Sequence, residues 1–249
     1  MEARLSPYTA VFTSRKILLL LLLGFSSGLP LALTGATLQA WLAVEGIDIR
    51  AIGWFTLVGQ PYVYKFLWAP LMDRYSIPLL GRRRGWLLVT QGALVLAIAC
   101  MGTVSPKEEP FLLAGLALAV AFLSASQDIV FDAYRADVLG AEERGAGAAV
   151  SVLGYRIAML ASGGLALILV DNWISWTQAY WLMAALMLVG ATATWAAAEP
   201  ATPPRLPKTL AEAVREPLAE YFSRHGAWLL RSEERRVGKE CRSRWSPYH

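Results

Sequence analysis

Polar and ionisable residues close one of the most apolar stretches of the chain. The run FLLAGLALAVAFL, which starts at residue 111, is followed directly by SASQDIVFDAYRAD. In a helix, four of these side chains would share one face, with Gln127 beside it: Ser124, Asp128, Asp132 and Arg135. Carboxyl groups in such a position can exchange protons or form ion pairs. This face is therefore a candidate for chemistry inside an apolar environment.

Two cations also lie inside apolar stretches. At about 1.5 Å per helical residue, Arg156 lies about 14 Å into its stretch and Lys65 about 20 Å into its own. Asp128 lies about 26 Å into the stretch that begins at residue 111. A charge near the centre of a bilayer costs about 2.5–3.5 kcal/mol on insertion scales, so these side chains should face protein or water.

The composition indicates that these residues belong to a membrane protein. Of the 249 residues, 56% are hydrophobic and only 17% are charged, and the mean hydropathy is +0.43. Apolar runs of about 18 residues or more are typical of membrane-spanning helices, and continuous runs do not suit the alternating strands of a β-barrel. Six candidate spans are predicted, at residues 17–42, 52–72, 86–104, 111–131, 147–170 and 178–198. The expected fold is an all-α membrane protein whose residues 1–198 form a six-helix bundle.

The cations in the short loops predict the orientation of these spans. One side collects Arg4, Arg15, Lys16, Arg74, Arg82, Arg83, Arg84, Arg135, Arg144, Arg205, Lys208, Arg215 and Arg224. The other side has only Arg50 and Lys107. Lysine and arginine are enriched in cytoplasmic loops, so the amino terminus is expected in the cytoplasm.

The buried charges suggest roles and leave alternatives open. Asp128 is a candidate for proton coupling, because a partly buried carboxyl group can change its protonation state; it could instead pair with loop arginines. Arg156 is a candidate for holding an anionic solute, or could form a buried ion pair with Asp128. Lys65, Gln127 and Gln39 are further candidates for solute binding, although Lys65 could also extend to the membrane surface.

The chain changes character after residue 198. Residues 199–230 begin with the proline-rich EPATPPRLP and continue with an amphipathic pattern, so we expect a cytoplasmic linker, a surface helix and the start of a seventh span. Residues 231–249 back-translate to a common sequencing adapter and are expected to be an artefactual tail. That tail has six cations and three anions, so it carries +3 of the formal net charge of +4, which argues against nucleic-acid binding.

An enzyme is not expected. Gly24-Phe-Ser-Ser-Gly28 matches the G-x-S-x-G motif of esterases, but that motif requires a preceding strand, and here it follows aliphatic residues of a predicted span. The same two glycines favour close helix packing. The sequence contains no H-E-x-x-H and no cofactor motif, and Cys100 and Cys241 have no metal-ligand spacing. Neither a cofactor nor a metal is predicted.

The loop between the second and third predicted spans resembles the signature loop of the major facilitator superfamily. The family pattern G-x-x-x-D-R-x-G-R-R/K corresponds here to APLMDR followed by GRRR. Ala69 stands at the first glycine position, and extra residues precede Gly81. The resemblance implies a cytoplasmic gate that contains Asp73, Arg74, Arg82, Arg83 and Arg84. Asp132 and Arg135 are expected to contribute to the same gate.

A closer resemblance spans most of residues 14–230. The strings LGFSSGLPLALTGATLQAWL, YKFLWAPLMDRY and SASQDIVFDAYRADVL are similar to AmpG-type muropeptide permeases, a family within that superfamily. This resemblance implies proton-driven import of N-acetylglucosaminyl-1,6-anhydro-N-acetylmuramyl peptides across the bacterial inner membrane, for peptidoglycan recycling and indirectly for β-lactamase induction. A transporter for another anionic solute, such as an acyl-coenzyme A, is the alternative. With its carboxy-terminal half missing, this chain alone is expected to be inactive.

Overall fold

The computed structural model describes residues 14–77, 80–140 and 142–200, together with Ala219 and Ser223. The chain divides into two compact units, Met1–Pro203 and Pro204–His249. In the second unit only Ala219 and Ser223 are described, and both are helical. The predicted surface helix and the predicted artefactual tail therefore lie almost entirely outside the described residues.

Ten α-helices form the described part of the first unit. Their bounds are α1 Arg15–Thr34, α2 Ala36–Val44, α3 Ile49–Phe55, α4 Gln60–Tyr64, α5 Ala69–Arg74, α6 Arg83–Met101, α7 Pro110–Val138, α8 Arg144–Met159, α9 Ala166–Asn172 and α10 Trp176–Ala196. Short 3₁₀ turns occupy Thr56–Gly59 and Lys65–Leu67, and a π-helical turn at Leu160–Leu165 joins α8 to α9. The predicted all-α membrane fold is confirmed.

Local sequence explains where the long helices begin. The Ser14 side chain accepts a hydrogen bond from the backbone N–H of Ile17, and α7 begins at Pro110, whose missing N–H is not needed in a first turn. At the start of α10, the side chains of Ser175 and Gln178 each accept a hydrogen bond from the other residue's backbone. These contacts satisfy amide groups that would otherwise be unpaired at a helix start.

Five segments of the described residues are long and apolar enough to cross a membrane. They are Arg15–Val44, Arg83–Met101, Pro110–Val138, Arg144–Asn172 and Trp176–Ala196, and each overlaps a predicted span. The second prediction, one continuous helix over 52–72, is wrong in its continuity. Residues 49–74 form helical pieces, with Pro61 and Pro70 at the second positions of α4 and α5. Proline cannot donate the backbone hydrogen bond that would continue a helix through these points.

Helix α1 lies at the centre of the bundle and packs against α7, α8 and α10. Its contact with α8 is so close that backbone meets backbone. An added Cβ would overlap the carbonyl oxygen of Ser151 from Gly24, that of Tyr155 from Gly28, and that of Leu21 from Gly154. The predicted packing role of Gly24 and Gly28 is therefore confirmed, since glycine lets two helix backbones approach each other.

The interior has two apolar clusters. One, around Leu20, Leu23, Leu87 and Val130, lies near the start of α1. The other, around Leu33, Leu94 and Met183, lies further along α1. Between the two clusters, α1, α6 and α7 carry buried polar residues, and this region of the bundle holds the candidate site.

Candidate functional site

A buried polar layer crosses the bundle between the two apolar clusters. It comprises Ser26 and Ser27 of α1, Gln91 of α6, Ser124 and Gln127 of α7, and Thr194 of α10, and the partly buried Asp128 lies at its edge. Gln127 donates a hydrogen bond from Nε2 to Ser26 Oγ at 3.2 Å, and Thr194 donates from Oγ1 to Gln91 Oε1 at 2.9 Å. Buried polar groups need such partners to offset the loss of water, so the layer fixes how these helices meet.

Asp128 is the ionisable residue at the edge of this layer. Its carboxylate accepts a short hydrogen bond from Ser27 Oγ, which joins α7 to α1. Lys65 and Asp132 are the charged groups that interact with it electrostatically. A cavity of about 260 Å³ reaches Asp128 and is also lined by Ser27, Asp132, Arg135 and Tyr155. Three residues of the predicted polar face of α7, Asp128, Asp132 and Arg135, therefore border a cavity large enough for several water molecules.

Asp132 and Arg135 line this cavity as an ion pair within α7. Arg135 Nη2 lies 3.0 Å from Asp132 Oδ1, three residues earlier on the same helix. The guanidinium carbon of Arg135 also lies 5.9 Å from the centre of the Phe131 ring. Both side chains are partly exposed, so an isolated pair of this kind contributes little to stability. The pair places one positive and one negative group beside Asp128.

The other predicted solute-binding residues lie apart from this cavity. Gln127 is buried, its exposed fraction is 1%, and it faces Ser26 in the bundle interior. Gln39 lines a smaller cavity towards the end of α1. Lys65 lies in a 3₁₀ turn, partly exposed and within electrostatic reach of Asp128.

Arg156 is exposed on α8 and does not line the cavity beside Asp128. Within the described residues, Arg156 forms no ion pair with Asp128. The alternative of a buried Arg156–Asp128 pair is therefore not found in this part of the chain. Its helix face also exposes Val152, Leu153 and Ile157. A charge in the middle of an apolar face requires water or protein beside it.

The end of the bundle where α6 starts is rich in cations, and we call it the cationic end; its residues include Arg15, Lys16, Arg82–84 and Arg135. A network of ion pairs lies there. Arg83 is buried and contacts two carboxylates, Asp73 Oδ1 at 2.5 Å and Asp137 Oδ2 at 3.0 Å. Arg82 Nη2 lies 3.5 Å from Asp137. Burial lowers the pKa of the Arg82 guanidinium, and the neighbouring charge of Arg83 lowers it further, whereas Asp137 and Asp73 oppose this effect.

Glu199 completes this network, and the sequence analysis does not predict this role. Its carboxylate accepts hydrogen bonds from the backbone N–H groups of Arg83 at 2.8 Å and Arg84 at 2.9 Å. Three arginines at a helix start are unfavourable, because the amino end of a helix is itself positive. A carboxylate there offsets the charge and caps the helix. Glu199 could have been recognised as the first acidic residue after the last span, on the side rich in arginine.

Three further arginine contacts involve the end of α10 or an aromatic ring. Arg84 donates from Nη2 to the carbonyl of Trp195 at 3.0 Å, and Arg15 donates to that of Ala196 at 2.9 Å. Cations are favourable at the carboxy end of a helix. Arg74 lies over the ring of Tyr75 at 5.5 Å and has no ion pair among the described residues.

Ser26 of the G-x-S-x-G match lies fully buried inside α1. Its hydroxyl donates to the sulfur of Met187 at 3.4 Å. In the part of the chain that the structure describes, no histidine or carboxylate group forms a hydrogen bond with the Ser26 hydroxyl. No group of three or more potential metal ligands occurs in the part of the chain that the structure describes.

Comparisons with known proteins agree with this architecture. The model of the Major Facilitator Superfamily matches residues 18–235. The chain is 59% identical over 225 residues to the protein named Anhydromuropeptide permease of Escherichia coli K12, a match that covers 90% of this chain and 46% of that protein. It is 40% identical over 218 residues to an uncharacterized protein of Haemophilus influenzae, covering 87% of this chain and 51% of that protein.

The chain therefore spans about half the length of the curated relatives that it matches. The resemblance of its signature loop to that of the superfamily is confirmed by a family match over most of the chain. The chain belongs to the major facilitator superfamily.

Proposed function

We propose that the chain is the amino-terminal half of an inner-membrane transporter that imports anhydromuropeptides with protons. The observation that carries this proposal is the 59% identity, over 90% of the chain, to a protein named Anhydromuropeptide permease. The substrate class is N-acetylglucosaminyl-1,6-anhydro-N-acetylmuramyl peptides, which carry several carboxylates. The biological role is peptidoglycan recycling.

The charges at the two ends of the bundle support a cytoplasmic amino terminus. The cationic end holds most of the described arginines, whereas the opposite end holds Arg50 and Lys107, the latter paired with Glu45 at 3.0 Å. Because cytoplasmic loops are enriched in lysine and arginine, the cationic end faces the cytoplasm. Solute imported from the opposite end would leave past the network around Arg83.

Asp128 couples transport to protons in this proposal. Its carboxyl group lies between the two apolar clusters and borders a cavity, so it is reachable by water although much of it is shielded. A carboxylate in such a place is costly as an anion unless it is paired. Protonation from one side and release to the other would therefore change the hydrogen bond of Asp128 with Ser27 and its electrostatic attraction to Lys65.

The exposed face of α8 supports a role for Arg156 in binding the solute. The face is apolar around one guanidinium, which would be costly against lipid. A missing second half of the transporter would cover this face and leave Arg156 at the boundary between the halves. There the guanidinium can bind a carboxylate of the solute through two hydrogen bonds. Lys65, Gln39 and Gln127 are further contributors to the binding region.

The network around Arg83 acts as the cytoplasmic gate. It joins α5, α6, α7 and the segment that follows α10, through Asp73, Arg83, Asp137 and Glu199. Opening the cytoplasmic side would require these pairs to separate, and their loss is compensated when the opposite side closes. Half of such a transporter cannot alternate between two states, so the chain alone does not transport.

Uptake of labelled anhydromuropeptide tests this proposal. Residues 1–230 are joined to the remaining half of the Escherichia coli relative and expressed in cells that lack their own permease. Proton-dependent uptake is expected from the joined protein and not from the 249-residue chain alone. An excess of unlabelled acyl-coenzyme A should leave this uptake unchanged. Proton-dependent uptake of labelled acyl-coenzyme A, without uptake of labelled anhydromuropeptide, would contradict the substrate assignment.

A further inference from the structure

A small cavity lies where two membrane segments are interrupted. Helix α1 ends at Thr34, and opposite it the second segment turns as a 3₁₀ helix at Thr56–Gly59. The space between them is about 130 Å³ and is lined by polar groups of Thr34, Gln39 and Tyr62. It lies further along α1 than Ser27, so it is on the side of Asp128 away from the cationic end. A water molecule occupies about 30 Å³ in the liquid, so the cavity has room for a few.

Two buried hydroxyl groups near this cavity make no hydrogen bond of good geometry within the part of the chain that the structure describes. They are that of Tyr62, which lines the cavity, and that of Ser124, which does not line it. Serines inside helices commonly donate to the carbonyl one turn earlier, as Ser126 does to Phe122 at 2.8 Å. Ser124, on the same helix, does not. Buried hydroxyls are rarely left unsatisfied, so water in the cavity is the natural partner of the Tyr62 hydroxyl, which also lies close enough to Ser124 to link that residue to the water.

These hydroxyls lie next to Asp128. Ser124 is one helical turn before Asp128 on the same face of α7. The Tyr62 hydroxyl lies near Ser124 and Thr34 and interacts electrostatically with Asp128. The groups that otherwise face Asp128 are the Ser27 hydroxyl, Lys65, Asp132 and Tyr155. All of these except Lys65 line the larger cavity towards the cationic end.

We propose that Tyr62 and Ser124, with water held in the small cavity, conduct protons between the end of the bundle opposite the cationic end and Asp128. The proposal rests on the proposed function, in which Asp128 couples uptake to protons. Each hydroxyl accepts a proton from the water or hydroxyl before it and passes its own proton on. The net change is one proton taken up from the solution, as hydronium, at the outer side of the cavity and one proton gained by the Asp128 carboxylate, so the cavity water and both hydroxyls end unchanged.

Tyr62→Phe in the joined transporter tests this proposal, because it removes the hydroxyl and keeps the ring. Two rates are measured in vesicles: uptake driven by a proton gradient, and exchange of labelled for unlabelled anhydromuropeptide without a gradient. Exchange needs solute binding and alternation but no net proton movement. Gradient-driven uptake is expected to fall at least about 10-fold, as for loss of a positioned proton-transfer group. Exchange is expected to stay within about 2-fold.

Tyr64→Phe is the matched control, since Tyr64 is exposed and lies two residues away; it should leave both rates unchanged. Ser124→Ala is the second variant and should reproduce the selective loss. Normal gradient-driven uptake in both Tyr62→Phe and Ser124→Ala would overturn the proposal. An equal fall in uptake and exchange would also overturn it, because it would indicate a role in solute binding or folding. Absence of proton-dependent uptake in the unsubstituted joined protein would refute the proposed function itself.

Discussion

Replacing Gly24 with alanine tests whether the contact between α1 and α8 depends on the absence of a side chain. A Cβ at this position would lie 3.1 Å from both the Cα and the carbonyl carbon of Ser151, and closer still to its carbonyl oxygen. Ordinary carbon–carbon contacts are about 3.5–4.0 Å, so the two backbones would have to separate by about 0.5–1 Å. Overpacking of this size in a well-packed interior costs about 1–3 kcal/mol.

The comparison variant is Gly115→Ala in α7. Gly115 is also inside a long helix, but an added Cβ there would meet nothing within 4 Å. Alanine is favoured over glycine in a helix by up to about 1 kcal/mol, so this variant should be neutral or stabilised. Alanine gains the same helix propensity at Gly24, so the two variants should differ by the overpacking cost of about 1–3 kcal/mol, with Gly24→Ala the less stable.

Thermal unfolding of the purified 249-residue chain in detergent, followed by tryptophan fluorescence, measures the difference. For a chain of this length, 1 kcal/mol corresponds to about 2–4 °C in the midpoint, so Gly24→Ala should unfold several degrees lower than the unsubstituted chain. Gly115→Ala should not. Equal midpoints for the two variants would refute the close backbone contact between α1 and α8.

Two further predictions concern the network at the start of α6. Arg83→Gln leaves Asp73 and Asp137 without their shared cation. Because both carboxylates are partly exposed, we expect the free energy of unfolding to fall by about 2–3 kcal/mol, measured as a lower unfolding midpoint. Arg74→Gln, which removes a cation without a described ion pair, is the matched control, and an equal effect of the two would contradict the network. Glu199→Gln keeps an acceptor for the helix start but removes its charge, so a smaller loss of about 1 kcal/mol is expected in the same assay, and no change would argue against charge stabilisation of α6.

The long helices could be predicted from the sequence because their signal is additive. Each of the five apolar segments contains enough consecutive hydrophobic residues to overlap its prediction, and the polar face of α7 follows directly from a spacing of three and four residues. The interruption of the second segment was harder to predict. Its many apolar and aromatic residues favour a span, whereas its path is set by single residues such as Pro61 and Pro70.

The partners of the charged side chains could not be predicted, because they depend on which helices become neighbours. Asp137 lies in the same polar stretch as Asp132, yet it contacts Arg83 of α6, whereas Asp132 pairs within α7. Gln127 and Asp128 are adjacent in sequence, but a helix directs adjacent side chains about 100° apart. One therefore enters the buried layer at Ser26 and the other reaches the cavity.

The most direct test of the account is proton-driven uptake by the joined transporter that carries Asp128→Asn. Asparagine preserves the shape of the side chain and can still accept a hydrogen bond from Ser27, but it cannot bind and release a proton. With Asp171→Asn, an exposed aspartate at the opposite end, as the control, we expect Asp128→Asn to insert in the membrane normally and to lose gradient-driven uptake. Normal gradient-driven uptake by Asp128→Asn would contradict the assignment of this carboxyl group as the coupling site.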